Sequence, residues 1–316
     1  MNILVNYLHG NAAPKIMGGF INGLRDLGHV VTDFPTSKRL AQSYDLLLGY
    51  SGCSVIELPD SPYTLAHAFG ARLVQYWAHD TPDPDKVFRE GTILQSDEGC
   101  WNRWRQLGIE CGYLPLATDP FVFQAIDLPV KYDVVMTGLP SPDCVDALRR
   151  LAGLGVGVFG PWKDGWEEHP EFEEYYQGYL ASSAALNVAY NESLICLDAS
   201  SPKDLNSANF TVFNAMASGC LLITNDKPTL DVAFGDAKPP TYADDCRPII
   251  DAYLEDPDLL RETALAQREE ILRAHTFTIR ARQLLDAAEQ DPPLQGAQVG
   301  PDAFGRIAGQ DRGLRS

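Results

Sequence analysis

The chain has 316 residues, more than a single hydrophobic core ordinarily serves, so two domains are expected. Its 25 lysines and arginines against 43 aspartates and glutamates leave a net charge of −18; this excludes a generally basic nucleic-acid binder and a polybasic membrane adherent, but leaves room for the local pocket a small anion needs. Hydrophobic residues at 45% and charged residues at 22% are the balance of a folded globular protein rather than a disordered one.

Short apolar runs alternate with amphipathic stretches from the first residue, the pattern of an α/β protein on parallel sheets. The opening MNILVNYLHGN carries neither a basic leader nor a small-residue cleavage site, and no later stretch reaches the length of a membrane span, so a cytoplasmic protein without membrane insertion is expected. In the first half, strands are predicted over 2–7, 29–34, 45–51, 72–79, 92–96 and 110–116, with helices over 16–27, 64–69, 85–90 and 99–107. After the Asp119-Pro120 turn and a polar link over 127–131, a second series has strands over 132–138, 156–160, 193–199 and 220–225, with helices over 143–152, 177–190 and 205–218. Helix formers then fill 248–254, 257–274 and 278–289, and from Asp291 the composition turns to Gly, Pro, Gln and Asp, which predicts a loosely held tail. The seven cysteines are scattered without CxxC or zinc-finger spacing, and several lie in apolar strands, so structural thiols in a reducing compartment are expected.

Candidate functional residues follow from this layout. Gly18 and Gly19 are placed at the start of the first helix, where a backbone can approach a phosphate or sugar closely; a plain turn explains them as well. His9 and Lys15 fall in the same loop. His79 and Asp80 follow an apolar strand, at an end whose side chains face a cleft, which makes His79 a candidate proton relay or sugar contact and Asp80 an orienting residue or a cap. Trp101, Arg103, Trp104 and Arg105 form a basic, aromatic cluster that reads as a base-stacking surface or, with better support, as an amphipathic helix with Trp in the core and Arg in water. Trp162 and Trp166 flank Lys163 and offer stacking surfaces for a base or sugar. Most informative is the segment from Asp204 to Asp226: a helix beginning near Asp204, Asn206 and Ser207 that leaves through Gly219 into the strand CLLIT. A helix N-terminus at a cleft presents N–H groups without intrahelical partners, which favour phosphate; an ordinary helix-to-strand connection fits the same pattern.

NFTVFNAMASGCLLITND, over 209–226, resembles the donor-site segment of GT-B glycosyltransferases of the family-4 type, and above all their CgeB-like (spore maturation protein) branch. Three further stretches match in order: LPLATDP over 114–120, YDVVMTG over 132–138 with VFGPW over 158–162, and 268–280 with His275-Thr276-Phe277 and Arg280. The similarity spans about residues 114–289, and Gly18-Gly19 with Trp77-Ala78-His79-Asp80 extend it into the first half. The resemblance implies two Rossmann-like domains facing across a cleft: an acceptor domain over 1–125, a donor domain over 126–275, a helix over 276–290 crossing back to the first domain, and the tail over 291–316. It implies a nucleotide-diphosphate sugar as donor substrate with no further cofactor, a small-molecule or glycan acceptor, metal-independent transfer, and retention as the family tendency. Donor contacts are then assigned to Gly18, Gly19, Gly138, Trp162, Lys163, Asn206, Ser207, Asn209, Phe210 and Asn214, with His79 and Asp80 as the catalytic pair.

The sequence departs from this pattern at charged positions. Asn206 and Asn214 stand where family-4 enzymes carry a pair of glutamates, and Thr211 where the branch carries arginine. The Arg and Lys that follow the TG strand are missing from 138–142, so the diphosphate clamp has to come from elsewhere, with Lys163 and Lys203 the nearest replacements. Asp83-Pro84-Asp85 spells the D-x-D of metal-dependent transferases but precedes a short helix and reads as a cap, so no metal is expected. Two alternatives remain open: a degenerate fold that binds without catalysis, and a transferase acting on modified bases in DNA through 101–105, which the net charge disfavours.

Overall fold

A computed structural model describes residues 1–7, 12–34, 37, 41, 43–50, 61–78, 89–138, 140–162, 170–199 and 207–293. The chain divides into two units, one made of Met1–Pro115 with the chain from Thr278 onward, the other of Leu116–Phe277.

The first unit carries strands β1 (Asn2–Asn6), β2 (Val30–Asp33), β3 (Leu46–Tyr50), β4 (Arg72–Trp77), β5 (Thr92–Gln95) and β6 (Gly112–Tyr113), all parallel in the order β2-β1-β3-β4-β5-β6. Parallel strands covered on both faces need unbroken apolar runs, and Leu46, Leu47 and Leu48 are all buried. Helices α1 (Ala13–Asp26), α2 (Pro62–Phe69) and α3 (Glu98–Gln106) connect them. Ser61 caps α2 by accepting from the Thr64 N–H, and Asp97 caps α3 by accepting from that of Cys100. In α3, Trp104 is buried edge-on against Trp77, Trp101 donates its indole N–H to the Cys111 carbonyl, and the Arg105 guanidinium lies over the Trp101 ring. The aromatic cluster therefore holds this helix in place.

The second unit repeats the theme with β7 (Tyr132–Thr137), β8 (Val156–Phe159), β9 (Tyr176–Gly178), β10 (Ser193–Asp198), β11 (Leu221–Asn225) and β12 (Thr241–Tyr242), parallel in the order β12-β11-β10-β7-β8-β9. Its helices are α4 (Pro142–Arg150), α5 (Ser183–Asn191), α6 (Phe210–Ser218), α7 (Leu230–Phe234), α8 (Arg247–Glu255) and α9 (Pro257–Ala274); α10 (Phe277–Ala288) then joins the first unit, where Arg280 donates from Nε to the Pro115 carbonyl. Two parallel Rossmann-like sheets are thus present, as the alternating pattern implies.

Several elements differ from the sequence expectation. The helix expected over 177–190 is divided: residues 176–178 extend an edge strand, and the helix begins only after Ser182, whose hydroxyl accepts from the Ala185 N–H. The first helix starts at Ala13 because Pro14 favours the opening turn, which moves Gly18 and Gly19 into the helix interior. A Cβ added at Gly18 would meet open space, so no close backbone approach requires glycine there. The short β9, β12 and α7 have no signal in the apolar pattern. The helix expected over 85–90 lies outside the described residues.

Residues 116–125 pack in the second unit, ahead of the border expected near 125. Thr118 donates its N–H to the His275 carbonyl and accepts from the Phe277 N–H, and the Phe123 ring packs against Tyr190 and Phe210. Asn187, 3% exposed, accepts from the Gln124 N–H and the Ser218 hydroxyl, while Asn191 accepts from the Ile126 N–H and donates to the Gln124 carbonyl. Asn187→Ala removes the acceptor of the Gln124 N–H and one of the two acceptors of the Ser218 hydroxyl, and is expected to cost about 1–3 kcal/mol, read as a lower urea midpoint of the second unit.

Candidate functional site in the second unit

The strand order of the second unit reverses between β7 and β10: the chain winds outward through β8 and β9, then returns to build β10, β11 and β12 on the other side. Ligands of doubly wound sheets bind at the carboxyl ends of the strands flanking such a reversal. Those ends are Thr137-Gly138 and Asp198, and the helix beside them is α6.

Asn209 is the N-cap of α6, with its side-chain oxygen accepting from the Val212 N–H at 3.2 Å. Behind the first turn, Thr137 Oγ1 lies 3.1 Å from the Tyr190 hydroxyl and 3.4 Å from Thr211 Oγ1. Burial pushes the Tyr190 phenol well above its usual pKa, so it stays neutral and hydrogen-bonding. These groups make a hydroxyl-lined floor with no charge of its own.

Beneath the floor is a buried ion pair. The Lys227 ammonium, 0% exposed, donates to Asp198 Oδ2 at 2.7 Å, Thr224 Oγ1 at 2.8 Å and Asn225 Oδ1 at 2.9 Å. Asp198 also accepts from the Thr224 hydroxyl on Oδ2 and from Asn209 Nδ2 on Oδ1, at 3.0 and 2.9 Å. Burial disfavours the Asp198 carboxylate, but the Lys227 charge and the hydrogen bonds from Lys227, Asn209 and Thr224 prevail and hold its pKa below the ordinary value. One side chain, Asn209, thus ties the ion pair to the helix N-terminus.

At the end of β7, Gly138 has φ +117°, and its carbonyl accepts from the Trp162 indole at 2.8 Å. Gly160 passes so close that an added Cβ would lie 2.0 Å from the Gly138 oxygen. Trp162 is 3% exposed, which makes it a brace for these strand ends and corrects its expected role as a stacking surface.

The predicted site residues separate into groups. Gly138, Ser207, Asn209 and Phe210 gather at the strand ends and the start of α6; the helix begins after Asn209, later than the expected start at 205. Asn214 is 0% exposed and accepts from the Thr118 hydroxyl, so in this structure it is a core residue without an open face for a ribose. Gly18 and Gly19 lie in α1 of the first unit. His79, Asp80, Lys163 and Asn206 lie outside the described residues, as do His9, Trp166, Lys203 and Asp83-Pro84-Asp85. Sequence reasoning missed Asp198, Thr224, Asn225 and Lys227. Polar residues closing apolar strands were their signal, but Lys227 in a turn reads as solvated until the topology encloses it.

A cavity of about 490 Å³ adjoins the carboxyl ends of β11 and β12, lined by Asp143, Asp146, Asn225, Asp226, Tyr242 and Asp244 among others. The lining also includes Arg150, and Asp146 and Asp226 are paired with Arg149 and Lys238, but four aspartates against one arginine leave the wall acidic, so electrostatics favours the α6 side of the sheet for an anion. Among the described residues, no group of three His, Cys, Asp or Glu could hold a metal ion, and no helix is long and apolar enough to cross a membrane.

Residues 142–286 match the family described as glycosyl transferase-like. Among solved structures, sucrose-phosphate synthase from Thermosynechococcus elongatus is similar at a TM-score of 0.64 and 14% identity, over 92% of this chain and 98% of that one. HepE from Anabaena, in complex with UDP-glucose, is similar at 0.64 and 12%, over 92% and 99%. A T4 phage BGT mutant in complex with UDP-glucose is similar at 0.59 and 12%, over 93% and 100%. The fold is that of the GT-B glycosyltransferases. Together with the glycosyl transferase-like segment, it marks the chain as an enzyme of the glycosyltransferase type. No curated protein matches the chain in sequence.

The ion pair has a definite pH signature. Because the folded state lowers the Asp198 pKa, its stabilisation is present above the unfolded value of 3.8 and is lost as pH falls through the folded value. Thermal melting from about pH 6 to about pH 3 should therefore show a steeper loss of stability for the native chain than for the Asp198→Asn/Lys227→Met double variant, which lacks this titration.

Proposed function

We propose that the chain transfers a sugar from a nucleotide-diphosphate sugar to a small-molecule or glycan acceptor in the cytoplasm, without a metal ion, as an enzyme of the family-4 type and its CgeB-like branch. The observation that carries the reading is the convergence, at the β7/β10 reversal, of a capped helix N-terminus, an open glycine and a hydroxyl floor. As the bond from the sugar to the diphosphate breaks, negative charge grows on the departing phosphate. The first-turn N–H groups of α6 and its dipole are preorganised to meet that charge, and the Thr137 and Thr211 hydroxyls stand beside them.

In this reading Gly138 admits the donor backbone-close, Ser207 and Asn209 contact it ahead of α6, and Asn206 and Lys163 are the further donor contacts that the resemblance implies. Asn214 supports the site from the core through Thr118. His79 relays the acceptor proton or holds a sugar hydroxyl, with Asp80 orienting it. The anomeric outcome follows the retaining tendency of family-4 enzymes. Uracil is the first base to test, because HepE and the T4 phage BGT mutant are both known in complex with UDP-glucose.

Titration calorimetry with UDP, GDP, ADP and TDP and their glucose conjugates is expected to show one nucleotide bound at micromolar strength. Asn209→Ala, which loosens the cap, should weaken that binding about tenfold. His79→Ala should leave binding unchanged while donor turnover falls at least about a hundredfold. Failure of every nucleotide to bind would overturn the reading.

A further inference from the structure

A buried lysine needs a reason. In water, three waters would solvate the ammonium; here Asp198, Thr224 and Asn225 replace them at 2.7, 2.8 and 2.9 Å. The carboxylate it neutralises closes β10 and is hydrogen-bonded to the residue that caps α6. Without Lys227, an uncompensated negative charge would stand directly behind the helix end proposed to receive a diphosphate. Thr211 and residues 138–142 carry no charge, so nothing at those positions offsets such a carboxylate.

We propose that Lys227 is a positioning residue for the donor diphosphate: it neutralises Asp198 and, through Asp198 and Asn209, fixes the first turn of α6 in an anion-receptive state. The proposal rests on the nucleotide-sugar reading above. Lys227 touches no substrate in this account; it acts through two intervening side chains.

Removing Lys227 makes donor binding depend on pH in a way a packing defect does not. Among the described residues, the groups facing Asp198 are Thr224 at the end of β11 and Lys227 from the turn after it, Asn209 ahead of α6, Cys196 on β10 itself, Tyr242 on β12 and Cys144 on α4, with Asp143 beyond the last two and Asn225 on the far side of Lys227. Burial pushes the Cys196 and Cys144 thiols and the Tyr242 phenol up, so they stay neutral from acid to neutral pH. An Asp198 stripped of its lysine loses the charge that most favours its ionised form, so burial is then opposed by the hydrogen bonds from Asn209 and Thr224. It is charged at high pH and neutral at low pH, so donor affinity should recover on acidification.

The test is calorimetric titration of the whole chain with UDP-glucose, whose diphosphate is esterified at both ends and has no proton to exchange near neutrality. Relative to the native chain, Lys227→Met is expected to bind at least about tenfold more weakly near pH 8, with the gap closing to about threefold near pH 5.5. Lys227→Met/Asp198→Asn should bind within about threefold of native across that range, which separates Asp198 from Asp143 as the titrating group. Should Lys227→Met fail to fold, Asp198→Asn decides the matter. It removes the carboxylate and keeps the lysine charge, and its single amide oxygen serves either Asn209 or Lys227, so with no negative charge behind the helix end it should bind within about threefold of native. Equal, pH-independent binding by Lys227→Met, or an Asp198→Asn variant that binds tenfold more weakly, would overturn the proposal while leaving the donor reading intact. A native chain that binds neither UDP-glucose nor the other nucleotides removes both.

Discussion

The Lys227–Asp198 pair is the constraint on which the carboxyl end of the second sheet depends. Desolvating two ions costs several kcal/mol each, and their attraction offsets this only when the remaining hydrogen-bonding positions are filled. They are filled here: Lys227 has three acceptors, and Asp198 accepts from Lys227, Thr224 and Asn209. This explains why β11 changes character along its length. Leu221, Leu222 and Ile223 are core, and Thr224 and Asn225, equally buried, are polar because the ammonium needs their oxygens. The same network reaches across to β10 and, through Asn209, sets where α6 begins. A single buried charge pair therefore governs the ends of two strands and the start of one helix.

What was legible in the sequence was what hydrophobic burial dictates. The runs LLL, LVQYW, ICL and LLI each form a buried parallel strand, because covering both faces of a sheet leaves no place for a polar period. The start of α6 was less legible. Asp204, Asn206, Ser207 and Asn209 are all competent caps, and local propensity does not rank them. Asn209 is selected by its hydrogen bond to Asp198 at the end of the preceding strand, a contact that capping propensity does not encode. Short edge strands such as Thr241–Tyr242 are set by pairing rather than by pattern. Lys227 and Trp162 were illegible for a related reason: both residue types are ordinarily exposed or amphipathic, and only the assembled sheet closes over them.

Burial also sorts the residues that the resemblance brought forward. Asn214, expected as a donor contact, is sealed in the core and accepts from the Thr118 hydroxyl. A carboxylate at that position would sit in the same apolar surroundings with a single hydroxyl donor, a costly arrangement. The amide accepts from Thr118 on its oxygen, while its buried Nδ2 has no hydrogen-bond partner among the described residues. The hydrogen bond from Thr118 to Asn214 forms because residues 116–125 pack within the second unit.

The net charge of −18 takes on a local meaning in this light. Aspartates crowd the cavity beside β12, and the reversal between β7 and β10 offers an anion hydroxyls, backbone N–H groups and a helix dipole, with its one described ammonium spent on Asp198. An anion held by oriented dipoles interacts at short range and in fixed geometry, whereas exposed lysines attract from a distance and without selectivity. A strongly acidic protein gains little from the long-range mode, since its overall field opposes it. It can still gain from the short-range one, provided no bare carboxylate stands behind the dipoles. That proviso is the role the structure gives to Lys227: it makes the region neutral, and neutrality is what allows the helix end to be felt as positive.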